Sequence, residues 1–190
     1  MVLEANGGSI ATCALRASIT FGEDDYQLIP SIHACIAKHE TPWVIGHGDN
    51  LYDFTYVGNV ADAHVLAVEN LINSKSAAGE AMFISNGQPI TFRDFCLATW
   101  AAFDVVPPYQ IYVPRTVASF MGFLAEWFTR FSGTPTTLCR GSVKDAAGTR
   151  YANTAKATRV LGYKPRVDMW DAVRVSCEVR FPCVFVDSCS

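Results

Sequence analysis

Charged residues are scarce in this chain, and neither charged nor apolar residues form long runs. Charged side chains make up 17% of the 190 residues, and the formal net charge is −3. Because there is no basic stripe, the sequence lacks the electrostatic footprint of a nucleic-acid-binding protein. No apolar stretch approaches the ~20 residues that a membrane-spanning helix needs. The residues 1–6 have neither the basic flank nor the apolar core of a secretory signal, so we expect none there.

Cysteine spacing gives no sign of a metal site or a disulfide framework. The chain has seven cysteines, an odd number, and none of them forms a C-x-x-C pair. Zinc sites and disulfide-rich domains need paired, regularly spaced cysteines. We therefore predict no metal ion, and reduced, mostly buried thiols in a protein that faces the cytosol. The seven are Cys13, Cys35, Cys96, Cys139, Cys177, Cys183 and Cys189.

Strand-like and helix-like segments alternate along the chain. The apolar half of the residues recurs with the spacing of buried strands or of helix faces. Predicted strands cover 12–15 with 19–21, 43–45, 51–57, 81–85 and 110–113. Predicted helices cover 28–36, 60–71, 91–103, 115–131, 153–162 and 168–180. The alternation predicts an α/β fold with a parallel sheet and a smaller lobe, but the few long strands suggest half of a doubly wound sheet of about six strands.

The turn at 46–50 separates two predicted strands, and this arrangement predicts a hairpin. Gly46 and Gly48 form a G-x-G pair within it. A dinucleotide-binding fingerprint requires a strand, a turn and then a helix, whereas a strand follows this turn. We therefore predict no nucleotide site there.

Three segments resemble the 3β-hydroxysteroid dehydrogenase family of extended short-chain dehydrogenases. Residues 12–22, TCALRASITFG, are similar to the family's strand ending in L-R-P-x-x-I-F-G. Residues 45–64, IGHGDNLYDFTYVGNVADAH, are similar to its most specific block, G-x-G-x-N-x-x-D-F-T-Y-V-x-N-V-A-x-A-H. Residues 150–157, RYANTAKA, followed by LGYKP at 161–165, resemble its late helix and L-G-Y-x-P stop. Within the family, the segments resemble the sterol-4α-carboxylate 3-dehydrogenase (decarboxylating) branch.

The resemblance implies a partial Rossmann-type fold for residues 1–180, made of the C-terminal strands of the parallel sheet and a small substrate-binding lobe. Residues 181–190 do not resemble the family and form an atypical tail. The family's catalytic Tyr-x-x-x-Lys pair and glycine-rich phosphate loop would lie upstream of Met1. No Tyr of this chain is followed four residues later by Lys. The resemblance therefore implies no catalytic residue within this chain.

Members of the family transfer a hydride from the C3 carbinol of a sterol or steroid to NAD or NADP. The resemblance thus implies the substrate-side portion of an oxidoreductase, inactive alone and with little or no cofactor binding of its own. Two alternatives stay open: a non-catalytic sterol- or protein-binding module, and a relative of the sugar-nucleotide epimerases and dehydratases. Besides the sterol, a membrane surface and a second copy are the partners we expect, with no nucleic acid. The implied location is the cytoplasmic face of the endoplasmic reticulum or the cytoplasm.

The candidate cofactor-binding residues follow from the same resemblance. The family loop that passes the nicotinamide ring corresponds to Ala17, Ser18, Ile19 and Thr20. Ala17 stands where the family usually has Pro, and Ile19 stands where it usually has Gly, so Ile19 could crowd the cofactor. A plain core strand and turn is the alternative interpretation.

The candidate substrate-binding residues lie in the D-F-T-Y-V block, which borders the substrate cleft in the family. They are Phe54, Tyr56 and Asn59. Asn59 could instead cap the next helix. Tyr56 could instead pack in the core with its hydroxyl satisfied.

Other features have structural interpretations. His64 lies on the apolar face of its predicted helix and is expected to be a core histidine. Asp24 and Asp25 are expected to form a turn and cap the next helix. The apolar stripe at 115–131 predicts a core helix, with a helix on a membrane surface as the alternative. A sheet without its other strands would expose an edge, so we expect the isolated chain to self-associate or to be poorly soluble.

Overall fold

The computed structural model describes the protein at residues 2–7, 9–132 and 148–180. The chain divides into two compact units and passes between them repeatedly. The first unit comprises Met1–Pro30, Asp53–Pro89 and Tyr151–Ser190, and the second comprises Ser31–Tyr52 and Ile90–Arg150.

Short strands alternate with helices in the described residues, after a 3-10 turn at Leu3–Ala5. The strands are β1 (Ala14–Ala17), β2 (Thr20–Phe21), β3 (Trp43–Ile45), β4 (Leu51–Tyr52), β5 (Thr55–Tyr56), β6 (Ala81–Ile84), β7 (Ile90–Thr91) and β8 (Ile111–Val113). The helices are α1 (Leu28–Ala37), α2 (Val57–Ile72), α3 (Phe92–Ala101), α4 (Arg115–Ser132), α5 (Ala155–Leu161) and α6 (Met169–Arg180). The predicted α/β class is confirmed.

Parallel strand pairs organise the first unit. β1 pairs with β6, with Ala14 opposite Ala81 and Ala17 opposite Ile84. β2 pairs in parallel with β5. A parallel pair needs a crossover connection, and α2 lies in the segment between β1 and β6. The core of this unit is built from α2, β6, α5 and the residues beside them: Ala63, Ala67, Ala77, Met82, Ile84, Ala157, Leu161 and Tyr163.

The predicted hairpin is wrong, because its two strands take other partners within the second unit. β3 pairs in parallel with β8, and Gly46 continues that pairing with a 2.8 Å bond from its N–H to the Val113 carbonyl. β4 pairs antiparallel with β7. The predicted strand at 51–57 is also divided, since Asp53 and Phe54 separate β4 from β5. Both partners come from distant sequence, where local turn signals carry no information.

Helix ends follow the sequence signals closely. The Asp25 carboxylate accepts hydrogen bonds from the N–H groups of Gln27, Leu28 and Ile29 at 2.8–3.2 Å, which confirms the predicted cap of α1. Asp168 likewise caps α6. α5 ends at Leu161, and its C-cap Gly162 has a φ of +68°, a backbone conformation that glycine adopts without strain.

The helix α2 is buried on one side only. Asn59, Ala63 and Ala67 form its buried face at helical spacing. His64 is exposed, and its Nδ1 lies 2.8 Å from the Val60 carbonyl oxygen. The prediction of a core histidine is therefore wrong, because position 64 lies one step around the helix from the alanine stripe.

The predicted core position of the apolar stripe on α4 is also wrong for its described side chains. Ala118 is buried, whereas the large apolar side chains nearby are exposed. The fractional exposure is 48–62% for Val117, Phe120, Met121, Leu124 and Trp127. Phe128 and Phe131, the other members of the predicted stripe, lie outside the described side chains.

Four of the cysteines lie within the described residues. Cys96 and Cys177 are buried, Cys13 and Cys35 are half-buried, and these four described thiols are free.

None of the helices in the described ranges is long and apolar enough to cross a membrane. Within the same ranges, no three His, Cys, Asp or Glu side chains form a group that could hold a metal ion. The atypical tail at 181–190 lies outside the described residues.

Candidate functional site

The carboxyl ends of the parallel strands meet in the first unit, where a set of backbone bonds connects them. The Ser18 N–H donates to the Ile84 carbonyl at 3.3 Å, and the Thr55 N–H donates to the Ile19 carbonyl at 2.8 Å. The Asn86 N–H donates to the Phe54 carbonyl at 3.4 Å. We call this region, residues 17–23, 54–59 and 84–87, the carboxyl edge. Open α/β sheets bind ligands outside the carboxyl ends of their strands.

The candidate cofactor-binding residues lie on this carboxyl edge. Ala17 is the last residue of β1, and Thr20 is the first residue of β2; both are exposed. Ser18 and Ile19 between them are half-buried. The Thr20 hydroxyl donates to the Ser18 carbonyl at 3.2 Å, which fixes the short connection. The loop therefore combines a fixed backbone with an exposed surface.

Phe54 is a buried member of the carboxyl edge and has no exposed surface. Its ring meets the Phe21 ring edge to face, with the centroids 6.4 Å apart. Thr55, next to it, is equally buried, and its hydroxyl donates to the Ile84 carbonyl at 3.4 Å. The structure thus places Phe54 in the core that supports the loop.

Tyr56 connects β5 to the turn that follows β2. Its hydroxyl donates to Glu23 Oε1 at 2.6 Å, and the side chain is 9% exposed. Burial, followed by the hydrogen bond and the charge of Glu23, raises the pKa of Tyr56 from 10.0 to about 12. Tyr56 is therefore a protonated hydrogen-bond donor at neutral pH and is not poised to accept a proton.

Two glycines let side chains pack directly against the backbone around this pair. A Cβ built on Gly58 would lie 2.6 Å from Tyr56 Cε1. A Cβ on Gly22 would overlap the Val57 side chain. Neither contact leaves space for a side chain, so glycine at these two positions is required by packing.

Asn59 is fully buried, and both its amide nitrogen and its amide oxygen form two hydrogen bonds within the protein. Its Nδ2 donates to Asn86 Oδ1 at 3.0 Å and to the Val167 carbonyl at 2.8 Å. Its Oδ1 accepts from the N–H groups of Arg166 and Val167 at 2.9 and 3.1 Å. The N-cap alternative is wrong, because Tyr56 precedes the first residue of α2 and Asn59 lies inside the helix. Asn59 instead ties α2 to the segment before α6.

Asn86 completes this buried network and was not identified from the sequence. Its Oδ1 accepts from the Tyr56 N–H at 3.0 Å as well as from Asn59, and its Nδ2 donates to the Val167 carbonyl at 3.1 Å. One feature of the sequence could have identified Asn86: its position directly after a predicted strand and before Gly87. Glu23 was likewise missed, because a turn glutamate has no local sign of a distant phenol partner.

Tyr163 fastens the L-G-Y-x-P segment to the same region. It is 1% exposed, and its hydroxyl donates to the Ser85 carbonyl at 3.0 Å. Burial, and then the charges of Asp62 and Asp53, raise its pKa to about 12. Asp53 is itself buried and accepts from the Ala152 N–H at 3.4 Å. The third segment of the unit is thereby held against the end of β6.

The loop at 17–20 presents the exposed residues Ala17 and Thr20 at the carboxyl edge, where open α/β sheets bind ligands. A pyrophosphate is usually held by a glycine-rich loop at a helix N-terminus. The chain contains no G-x-x-G-x-x-G sequence.

The fold and this edge define the chain as a Rossmann-type α/β protein of the extended short-chain dehydrogenase kind. Among solved structures, UDP-glucose 4-epimerase from Thermotoga maritima matches with a TM-score of 0.61 and 17% identity, covering 91% of this chain and 47% of that one. UDP-glucose-4-epimerase from Stenotrophomonas maltophila, solved with bound NAD, matches with a TM-score of 0.60 and 20% identity, covering 93% and 49%. At such identities the likeness establishes the fold alone.

The chain belongs to the 3-beta hydroxysteroid dehydrogenase/isomerase family, whose sequence profile matches residues 1–115. The decarboxylating sterol-4-alpha-carboxylate 3-dehydrogenase of Schizosaccharomyces pombe is 41% identical over 174 residues, which are 91% of this chain and 51% of that enzyme. The mouse enzyme of the same name is 32% identical over 178 residues, covering 90% and 49%. The chain thus spans about half the length of these curated relatives.

Proposed function

We propose that this chain forms the substrate-side half of an NAD-dependent sterol-4α-carboxylate 3-dehydrogenase, acting on the 3β-hydroxyl group of a sterol. The observation that carries the proposal is the loop at 17–20, exposed at the carboxyl edge and fixed by the bonds of Ser18 and Ile19 to β6 and β5. The similarity to the sterol-4-alpha-carboxylate 3-dehydrogenases supports the reaction class.

In this proposal the loop forms the wall beside the nicotinamide ring. Bound NAD would supply the hydride acceptor for the sterol C3 carbon. Ala17, Ser18, Ile19 and Thr20 would orient the ring and keep water from it, and the buried Phe54 would hold the loop from below. Oxidation of C3 yields a β-keto acid, which then loses CO2.

Tyr56 and Asn59 act indirectly in this proposal. Tyr56 holds the Glu23 turn through its hydroxyl, and Asn59 holds the segment at 166–167 through its amide. With its pKa raised to about 12, Tyr56 cannot serve as the base for the sterol hydroxyl. The proton acceptor and the phosphate-binding loop would come from another part of the enzyme, so we expect the isolated chain to be inactive.

A second proposal concerns location. The exposed apolar side chains of α4 support a peripheral contact with a membrane surface, on the cytoplasmic face of the endoplasmic reticulum or an equivalent membrane. Phe120, Leu124 and Trp127 would enter the interface, where a sterol substrate is also dissolved.

A chimera tests the main proposal. Residues 1–180 would replace the matching half of the Schizosaccharomyces pombe enzyme, and NADH formation and CO2 release would be measured with a sterol-4α-carboxylate. We expect both products from the chimera and neither from the isolated chain. A chimera that unfolds cooperatively and binds NAD, yet releases no CO2 from the sterol acid, would contradict the proposed reaction.

A matched pair of variants in the chimera would locate the cofactor wall. Thr20→Trp places a large side chain on the loop and is expected to raise KM for NAD by about tenfold or more. His64→Trp places the same side chain on the exposed face of α2 and should leave KM for NAD unchanged. Equal effects of the two variants would argue against the loop as the cofactor wall.

A further inference from the structure

Asn86 is followed by Gly87, and the chain contains one other Asn-Gly pair, Asn6-Gly7. Asn-Gly is chemically labile, because glycine has no Cβ to obstruct attack by its own backbone nitrogen. That nitrogen bonds to the asparagine Cγ, the side-chain amide leaves as ammonia, and a succinimide ring forms. Water then opens the ring and gives aspartate or isoaspartate, without any oxidant or further reactant.

The native fold hinders this reaction at Asn86. The side chain is 3% exposed, and three hydrogen bonds direct it toward Tyr56, Asn59 and Val167. The attacking Gly87 N–H is itself engaged, since it donates to Ser85 Oγ at 3.1 Å. Succinimide formation requires the Asn86 side chain to turn onto the Gly87 nitrogen, which would break these bonds together.

Asn6 provides a contrasting site in the same molecule. It is half-buried, and its Oδ1 accepts a hydrogen bond from the Thr12 N–H at 3.0 Å. The Gly7 N–H donates to the Ile10 carbonyl at 3.0 Å. The local chemistry of the two pairs is the same, but Asn86 is more deeply buried and lies within a larger hydrogen-bond network.

We propose that Asn86 is a deamidation site that the native fold keeps closed, and that its modification in the unfolded chain prevents the first unit from reforming. The three side-chain hydrogen bonds of the native fold at position 86 together require the amide form of Asn86. In the aspartate product, the Nδ2 donor becomes an anionic oxygen that faces the Val167 carbonyl, which keeps its bond from Asn59 Nδ2 and loses the one from residue 86. A buried carboxylate without a donor in that direction is strongly disfavoured.

The isoaspartate product acts on the backbone instead. It inserts an additional methylene into the main chain between Ser85 and Gly87, where the Asn86 N–H reaches the Phe54 carbonyl. The insertion displaces Gly87 relative to the end of β6 and removes the side-chain amide that contacts Tyr56, Asn59 and Val167. The aspartate product therefore loses the bond to Val167, and the isoaspartate product loses all three side-chain bonds of Asn86.

The test follows both asparagines in the intact 190-residue chain. The protein is incubated at neutral pH in buffer and in urea above the unfolding midpoint, then digested with trypsin. The peptide 1–16 contains Asn6 as its one asparagine, and the peptide 76–93 contains Asn86 as its one asparagine. Each gains about 1 Da on deamidation, and the isoaspartate form separates chromatographically.

We expect similar rates at the two sites in urea. In buffer, modification of Asn86 should be slower than in urea by about tenfold or more, which corresponds to about 1.4 kcal/mol of local opening free energy. The rate of modification at Asn6 should differ less between buffer and urea. Equal rates at Asn86 with and without urea would overturn the proposal.

A refolding step tests the second half of the proposal. After partial modification in urea, the chain is diluted into buffer, and the folded fraction is separated by size. Modified 76–93 should be depleted from the folded fraction, whereas modified 1–16 should be distributed evenly. The variant Asn86→Asp should lower the unfolding midpoint much more than Asn6→Asp, or fail to fold where Asn6→Asp folds. Equal midpoints for the two variants would refute the effect of modification.

Discussion

The Tyr56 hydroxyl donates to Glu23 Oε1 across 2.6 Å and connects the end of β5 to the turn after β2, although the two residues are 33 positions apart in sequence. Glu23 lies three residues after Thr20, so the bond holds the turn that follows β2. Gly22 lies against the Val57 side chain and Gly58 against the Tyr56 ring, so side chains pack directly on the backbone at both positions.

Removal of this bond should destabilise the protein. Tyr56→Phe deletes the donor to a charged acceptor, and we expect a loss of about 1.5–3 kcal/mol in the free energy of unfolding. Urea denaturation followed by circular dichroism measures it. Tyr109→Phe, at an exposed tyrosine, is the matched control and should change the free energy by less than about 0.5 kcal/mol. Equal losses for the two variants would contradict the structural role of the bond.

Alkaline pH should weaken the fold. The pKa values of Tyr56 and Tyr163 are raised to about 12 in the folded protein, whereas an unfolded tyrosine titrates near a pKa of about 10. Below pH ~10 both states keep the two protons, so the stabilisation is complete there. Between pH ~10 and ~12 the unfolded chain releases them first, and the free energy of unfolding falls as pH rises.

The buried thiols Cys96 and Cys177 add to this loss with the same sign, because their pKa values are also raised to about 12. The contribution of the two tyrosines to the loss of unfolding free energy is therefore measured by comparing the parent chain with a variant that lacks both hydroxyls. The double variant Tyr56→Phe, Tyr163→Phe should show a shallower decline of unfolding free energy between pH ~10 and ~11 than the parent chain. An unchanged decline would show that these two phenols do not hold raised pKa values.

The packing at Gly22 should be sensitive to a single methyl group. In Gly22→Ala the new Cβ overlaps the Val57 side chain, and we expect a loss of about 1–3 kcal/mol in the free energy of unfolding. Adding Val57→Ala removes the obstructing atoms and should restore part of the loss, as a double-mutant cycle would reveal. Strictly additive losses would mean that the two positions do not contact each other.

The exposed stripe of α4 should bind neutral lipid vesicles. We expect the intact chain to float with them in a density gradient, and the double variant Phe120→Glu, Leu124→Glu to remain at the bottom. The control is Val65→Glu, Val68→Glu on the exposed side of α2, which should still float. Absence of flotation by the parent chain would exclude this membrane contact.

Local chemistry was predictable from the sequence. The cap at Asp25 depends on residues within four positions, and the structure confirms it. The cap at Asp168 and the left-handed Gly162 after α5 are equally local. The α/β class also followed from the alternation of periodic segments. In contrast, the pairing of β3 with β8 joins distant segments, so the nearby turn at 46–50 led to a hairpin that does not form.

The candidate site was only partly predictable. The structure places the loop at 17–20 on the carboxyl edge, and its role as a cofactor wall stays a prediction. Asn59 bonds to Arg166, 107 residues away, and no local pattern indicates such a partner. The same holds for Glu23 and Asn86, whose roles depend on side chains brought together by the tertiary fold.

The most direct test of the proposed cofactor wall is hydrogen exchange at the backbone amides of 17–23 in the chimera, with and without saturating NAD. We predict that NAD slows exchange in this segment, while the exposed end of α2 at 68–72 exchanges at the same rate. If NAD binds, as calorimetry would show, and exchange at 17–23 does not change, the loop is not part of the cofactor site.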